Sequence, residues 1–279
     1  MPNEGSSIKS GASGSVCGRF HQRSVKETDN HCPDQNLLLT SFSPMNQGLP
    51  AVFSNPDFLM LIDANQLDNG SVVETDLCIV GSGPAGVSCA LEFKNSPIDV
   101  CLLESGGVVV DGDTQSLAGG STSGHIYVPL QSTRIRALGG TSYHWSGWCR
   151  PLEDIDFEER DWIPYSGWPL TLENLRDYYI RAHERCDLGQ YEYDLDEWFD
   201  TGDGIVGGAS ERLEARVIQF NPIQFGTEFR PQLKAANNIR TILHANVLTL
   251  DTGSDGDRVQ TVSVATLAGK QFKVKAKNF

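Results

Sequence analysis

The sequence predicts an α/β fold built on one parallel strand, helix, strand unit, and three observations carry the expectation. Thr75-Asp76-Leu77-Cys78-Ile79-Val80 is a short apolar run closed by glycine, the pattern of a strand buried on both faces. From Pro84 to about residue 94, Val87, Ala90 and Leu91 fall on one helical face, and residues 98–103 form a second apolar run. Strand, helix and strand within about 30 residues make a βαβ unit, whose strands run parallel because a right-handed crossover joins them.

Ahead of this unit, residues 1–55 are rich in Ser, Gly, Asn, Gln and Asp without a sustained period, and are expected to be a disordered extension of a domain spanning residues 56–279. Phe58-Leu59-Met60-Leu61-Ile62 reads as a lead-in strand, followed by a turn through Gly70. Beyond the unit, residues 111–147 are glycine-rich and loop-like. A helix is expected from Leu172 to about Cys186, with Thr171 as N-cap and Leu172, Leu175, Tyr178, Tyr179, Ala182 and Cys186 on one face. The tail reads as additional β-strands at residues 239–243, 247–250, 259–267 and 272–275, with a turn across 251–257. No internal repeat is present.

The formal net charge of −14 over 279 residues disfavours attraction to a phosphate backbone, so nucleic acid is not an expected partner. No apolar run reaches the roughly 18 to 20 residues of a membrane span, and the N-terminus lacks the apolar segment of a secretory signal. Seven cysteines, without a C-x-x-C pair, give no zinc spacing. Cys78, Cys89 and Cys101 lie in apolar patterns as small buried hydrophobes, which suits a reducing compartment and a cytoplasmic location.

Gly81-Ser82-Gly83-Pro84-Ala85-Gly86 fits G-x-G-x-x-G directly after a strand and opening a helix, where a dinucleotide fingerprint has to stand. Gly81 allows the tight turn, Gly83 lets a diphosphate approach the backbone, and Gly86 lets helix and strand pack closely. Pro84 at the first helical position gives up an N–H that would be unpaired, and the remaining N–H groups with the helix dipole attract the anion. Glu104 ends the second strand 23 residues after Gly81, close to the spacing of about 20 for an acid that accepts hydrogen bonds from ribose hydroxyls. A carboxylate there disfavours the 2′-phosphate of NADP. The fold class is therefore a Rossmann-like FAD/NAD(P)-binding domain with additional β-strands, and the fingerprint by itself leaves FAD and NAD open.

The remainder separates them, because a simple NAD domain would continue with further βα units. Here a long glycine-rich stretch leads to Arg134-Ile135-Arg136-Ala137-Leu138-Gly139-Gly140-Thr141-Ser142-Tyr143-His144-Trp145, with Cys149-Arg150-Pro151-Leu152, Asp161-Trp162 and Ser166-Gly167-Trp168-Pro169 after it. From about Met60 onward this resembles the N-terminal FAD-binding part of the glucose-methanol-choline (GMC) oxidoreductase family, in its choline-dehydrogenase-like and sugar-dehydrogenase branches, which are related to pyranose oxidase.

The resemblance implies FAD as cofactor and hydride transfer from a CH-OH group of an alcohol or sugar to flavin N5. An electron acceptor that the sequence does not name would follow. It also implies that Gly139, Gly140, Thr141 and Ser142 lay their backbone against the diphosphate and flavin, and that Val247 meets the adenine. His144-Trp145 has the spacing of the pair whose histidine bonds covalently to the flavin in pyranose oxidases, the alternative being an imidazole hydrogen-bonded near the cofactor. Trp145, Trp148, Trp162 and Trp168 are expected in the core rather than in a substrate pocket. His125, His183 and His244 carry no metal spacing and no assigned role.

In the family the hydroxyl proton goes to a histidine near the C-terminus, a segment for which this sequence has no candidate. The expectation is a chain truncated before its substrate domain, with an exposed sheet edge. A catalytically silent FAD-binding or interaction module and an NAD-dependent enzyme are the alternatives.

Overall fold

Strand β1 (Leu61–Asp63) and strand β2 (Val72–Val80) lead into helix α1 (Pro84–Glu92), and strand β3 (Val100–Leu103) closes the expected βαβ unit. In this computed structural model residues 60–198, 215–254 and 256–279 are described. The extension expected to be disordered, residues 1–55, lies outside them.

Short helices follow, α2 (Gly112–Ser116) and α3 (Leu130–Thr133), then the two-residue strand β4 (Trp148–Cys149), α4 (Asp154–Phe157), the long helix α5 (Leu172–Arg185) and α6 (Leu195–Trp198). Strand β5 (Gln219–Phe220) pairs with β4, and α7 (Phe225–Glu228) and α8 (Arg230–Ala235) lead to β6 (Ile239–Leu243), β7 (Asn246–Thr252), β8 (Val259–Ala265) and β9 (Gln271–Asn278).

The main sheet has the order β1-β6-β3-β2-β9-β8-β7. Neighbours run parallel from β1 across to β9, and the β9, β8, β7 ribbon is an antiparallel meander. β3 is central, and all four of its residues are buried. Its pleat sends Val100 and Leu102 into one core with Val87, Ala90 and Leu91 of α1, Leu233 of α8, and Phe225. Cys101 and Leu103 face the other core, continuous with Val262, Val264, Phe272 and Val274 of the meander. Two-sided burial explains the unbroken apolar run, and truncating Leu102 to alanine would cost about 2–5 kcal/mol.

Several expectations change. β2 begins at Val72 because Val72 to Thr75 pair with Lys273 to Ala276 of β9, about 200 residues away in sequence. The same pairing covers most of the edge expected to be exposed, with Leu77 opposite Asn278. On α5, Tyr178 is 63% exposed and the buried residue is His183. Thr171 does cap that helix, in a reciprocal box with Asn174. Finally, Trp148, Trp162 and Trp168 are 70%, 74% and 58% exposed rather than core, and Cys89 is exposed on the outer face of α1.

Among the described residues, no helix is long and apolar enough to cross a membrane.

Candidate functional site

At the end of β2 the chain turns through Gly81 with φ of +97°, a conformation open to glycine at little cost. Gly83 is the N-cap of α1 with φ of −65°, Pro84 starts the helix, and no side chain caps it. The three fingerprint glycines are needed for different reasons. A Cβ at Gly86 would lie 1.9 Å from the Gly81 carbonyl oxygen, so helix and strand touch there. A Cβ at Gly83 would meet nothing within 4 Å, and its backbone angle suits any residue. Among the described residues, no atom requires glycine at 83. The open volume before it, beside the positive end of α1, fits a diphosphate.

Glu104 is buried at the tip of β3. Its Oε2 accepts from Ser82 N at 3.0 Å and from Ser82 Oγ at 2.6 Å, and its Oε1 accepts from Gly106 N at 2.8 Å. The carboxylate thus locks the fingerprint turn to the second strand, and its remaining lone pairs are what a ribose can use. Ser82, 0% exposed, is committed to that lock through both its N–H and its hydroxyl. Ala85 is exposed.

The second glycine segment docks on the first. Gly139 N donates to Ser82 O at 2.9 Å, and a Cβ at Gly140 would lie 3.0 Å from Gly83 Cα. Gly139 and Gly140 have successive positive φ, +96° and +55°. Ser142 turns inward, its hydroxyl donating to Gly139 O at 2.6 Å and accepting from Phe225 N at 3.0 Å. The Thr141 carbonyl accepts from the backbone of His144 and Trp145, which leaves the His144 side chain exposed. Trp145 packs against the protein on one side. Its indole donates to Ile223 O at 2.9 Å and its ring meets Phe225 edge-on at 5.8 Å, so it packs the segment down.

Val247 is half-buried at the start of β7, opposite Val264 and against the meander core. Beside it, Ser105 Oγ donates to Asn246 Oδ1 at 2.8 Å and accepts from the Arg136 guanidinium. Sequence reasoning missed Arg136 and Asn246, which stand at the carboxyl ends of the parallel strands where such folds place ligands. It also missed His183, whose ring is held by Gly189 O and by the Tyr193 hydroxyl. Burial pushes Tyr193 up to about 12 and the nearby Cys186 thiol up to about 11. That polar cluster flanks an open cleft of about 650 Å³ lined by Arg150, Glu153, Arg176, Tyr191 and Tyr193, none of them part of the glycine segments. Among the described residues, no group of His, Cys, Asp and Glu could hold a metal ion.

A profile of FAD dependent oxidoreductases matches residues 76–273, which include the fingerprint, Glu104 and the second glycine segment. The chain belongs to that family. FAD is its cofactor, and the NAD-dependent alternative is set aside. The mitochondrial electron transfer flavoprotein-ubiquinone oxidoreductase of Arabidopsis thaliana is 26% identical over 163 residues, 50% of this chain and 24% of that protein. Among solved structures, a formate oxidase aligns with TM-score 0.48 and 18% identity over 75% of this chain and 45% of its own. Pyridoxine 4-oxidase from Mesorbium loti aligns with TM-score 0.44 and 16% identity over 73% and 48%. The chain therefore spans about a quarter of the curated flavoprotein and under half of these structures.

Proposed function

We propose that this FAD dependent oxidoreductase chain is the FAD-binding part, residues 56–279, of a GMC-type dehydrogenase or oxidase acting on a CH-OH group of an alcohol or sugar. The observation that carries the reading is the open cradle at Gly83 with the Gly139-Gly140 turn docked directly on it. The GMC resemblance of residues 138–169 supports the finer assignment.

On this reading Gly81, Gly83 and the N-terminus of α1 bind the diphosphate, Glu104 accepts from ribose hydroxyls, and Val247 lies by the adenine. The turn from Gly139 to Ser142 orients the flavin end. Bound there, FAD supplies a two-electron acceptor for hydride leaving the alcohol carbon. The exposed His144 imidazole is free either to bond covalently to the cofactor or to hydrogen-bond beside it. The electron acceptor is a separate partner, and the protein works in the cytoplasm without nucleic acid.

The test is spectroscopic. The purified protein carries an oxidised flavin band that bleaches when an alcohol or sugar is added without oxygen. A flavin that stays oxidised with every alcohol and sugar removes the CH-OH assignment and favours a silent FAD-binding module. Acid precipitation decides on His144, since yellow colour left in the supernatant removes the covalent link.

A further inference from the structure

We propose that Gly226, held in place by Phe225, is a flavin-positioning residue that sets how closely the Gly139-Gly140 turn approaches the fingerprint. The turn is gripped from two sides. In front, Gly139 N donates to Ser82 O and Gly140 stands against Gly83 Cα. Behind, α7 arrives from more than 80 residues further along the chain. A Cβ at Gly226 would lie 1.8 Å from the Leu138 carbonyl oxygen, and a Cβ at Gly139 would lie 2.2 Å from Gly226 N. These are backbone atoms, so no side-chain rotation relieves either contact.

Gly226 has no positive φ to account for it, and glycine inside a helical turn costs stability. What requires glycine there is the nearness of Leu138. Three contacts then fix α7. Phe225 N donates to Ser142 Oγ, which donates onward to Gly139 O. Phe225 is 1% exposed and meets Trp145 edge-on and Phe229 at 5.0 Å. The Trp145 indole is pinned to Ile223 O. The stack of α7, glycine turn and fingerprint is thus backbone on backbone, and its thickness sets the width of the slot beside Gly83. A methyl group at 226 pushes the turn toward Gly83, into the space a diphosphate uses.

The experiment compares Gly226→Ala with Leu233→Ala, a 0% exposed residue of the same core on α8 that lies outside the stack. For the full chain, FAD affinity and the visible circular dichroism of the bound flavin are read alongside the melting temperature without FAD. Gly226→Ala is expected to weaken FAD by at least about tenfold more than Leu233→Ala and to change the dichroism at saturating FAD, because sub-ångström misplacement is felt at the ligand. If both variants lose FAD only in step with their melting temperatures, and the bound flavin keeps its dichroism, the proposal is overturned. Should Gly226→Ala not fold, Phe225→Leu keeps the burial and loses the edge contact with Trp145. An altered flavin dichroism in that variant supports the positioning role, and an unaltered one overturns it. A protein that binds no FAD even as wild type would instead fail the cofactor assignment, a separate result.

Discussion

The Glu104 carboxylate and Ser82 form a two-point contact, backbone N–H and hydroxyl donating to the same oxygen at 3.0 and 2.6 Å. The other oxygen takes Gly106 N. An acid chosen for its reach toward a ribose is therefore also the clasp that fixes the turn it serves.

Glu104→Gln tests the clasp. A glutamine offers one oxygen where the carboxylate offers two, so either Ser82 or Gly106 faces an amide N–H₂ in a buried site. An unsatisfied buried donor costs about 1–3 kcal/mol, and the loss is expected in the FAD-free protein. Urea unfolding without FAD measures it. Unchanged stability would mean that Glu104 serves the ligand alone.

The fingerprint glycines separate binding from folding. Gly83→Ala places its methyl in open space and is expected to lower stability by about 1 kcal/mol or less, the difference between glycine and alanine at an N-cap. FAD binding falls sharply, because the methyl occupies the cradle. Gly86→Ala drives its methyl into Gly81 O and costs about 3 kcal/mol or more. Thermal unfolding and FAD titration of both variants check the contrast, which fails if Gly83→Ala binds FAD normally.

These cases show what a sequence can and cannot disclose. β3 and α5 were legible, one as an apolar run buried on both faces and the other through its cap at Thr171. Their signals are local. Gly226 was not legible, because its reason is a carbonyl 88 residues earlier and its backbone angle is ordinary. Val72 to Thr75 join β2 through a partner strand at the far end of the chain. His183 sits on the buried face of α5, where polarity hid it from a count of apolar positions. The tryptophans misled in the opposite direction, since their size suggests burial while three lie exposed around the β4–β5 ribbon and α4.

The meander carries a pH-dependent contribution. Hydrogen bonds from Ser263, Thr249, Lys273 and Thr261 hold the Asp251 pKa below the usual carboxylate range. A folded-state pKa that is depressed contributes stability fully above the unfolded value of about 3.9, and the contribution is lost as pH falls below it. Asp251→Asn is therefore less stable than wild type at neutral pH, and the gap closes in acid. Melting temperatures of the two proteins between neutral and strongly acidic pH check the sign. A gap that stays constant removes Asp251 as a source of acid sensitivity.

The buried imidazole of His183 supplies the last test. Its Nδ1 lies 3.1 Å from Gly189 O, an acceptor, so Nδ1 carries the hydrogen. In the neutral ring Nε2 then accepts, and its donor is the Tyr193 hydroxyl at 3.0 Å. That hydroxyl, with one hydrogen to give, also lies 3.2 Å from Cys149 O of β4, so the carbonyl competes with Nε2 as its acceptor. Tyr193→Phe keeps the ring contacts with His183 and Tyr191 but strands Nε2 in a site 5% exposed. The expected cost is about 1–3 kcal/mol, whereas Tyr178→Phe, on the exposed side of α5, stays within about 0.5 kcal/mol of wild type. FAD affinity holds in both, because neither hydroxyl touches the glycine segments. Urea unfolding with parallel FAD titration separates the outcomes, and a Tyr193→Phe protein as stable as wild type would show that Nε2 finds its partner elsewhere.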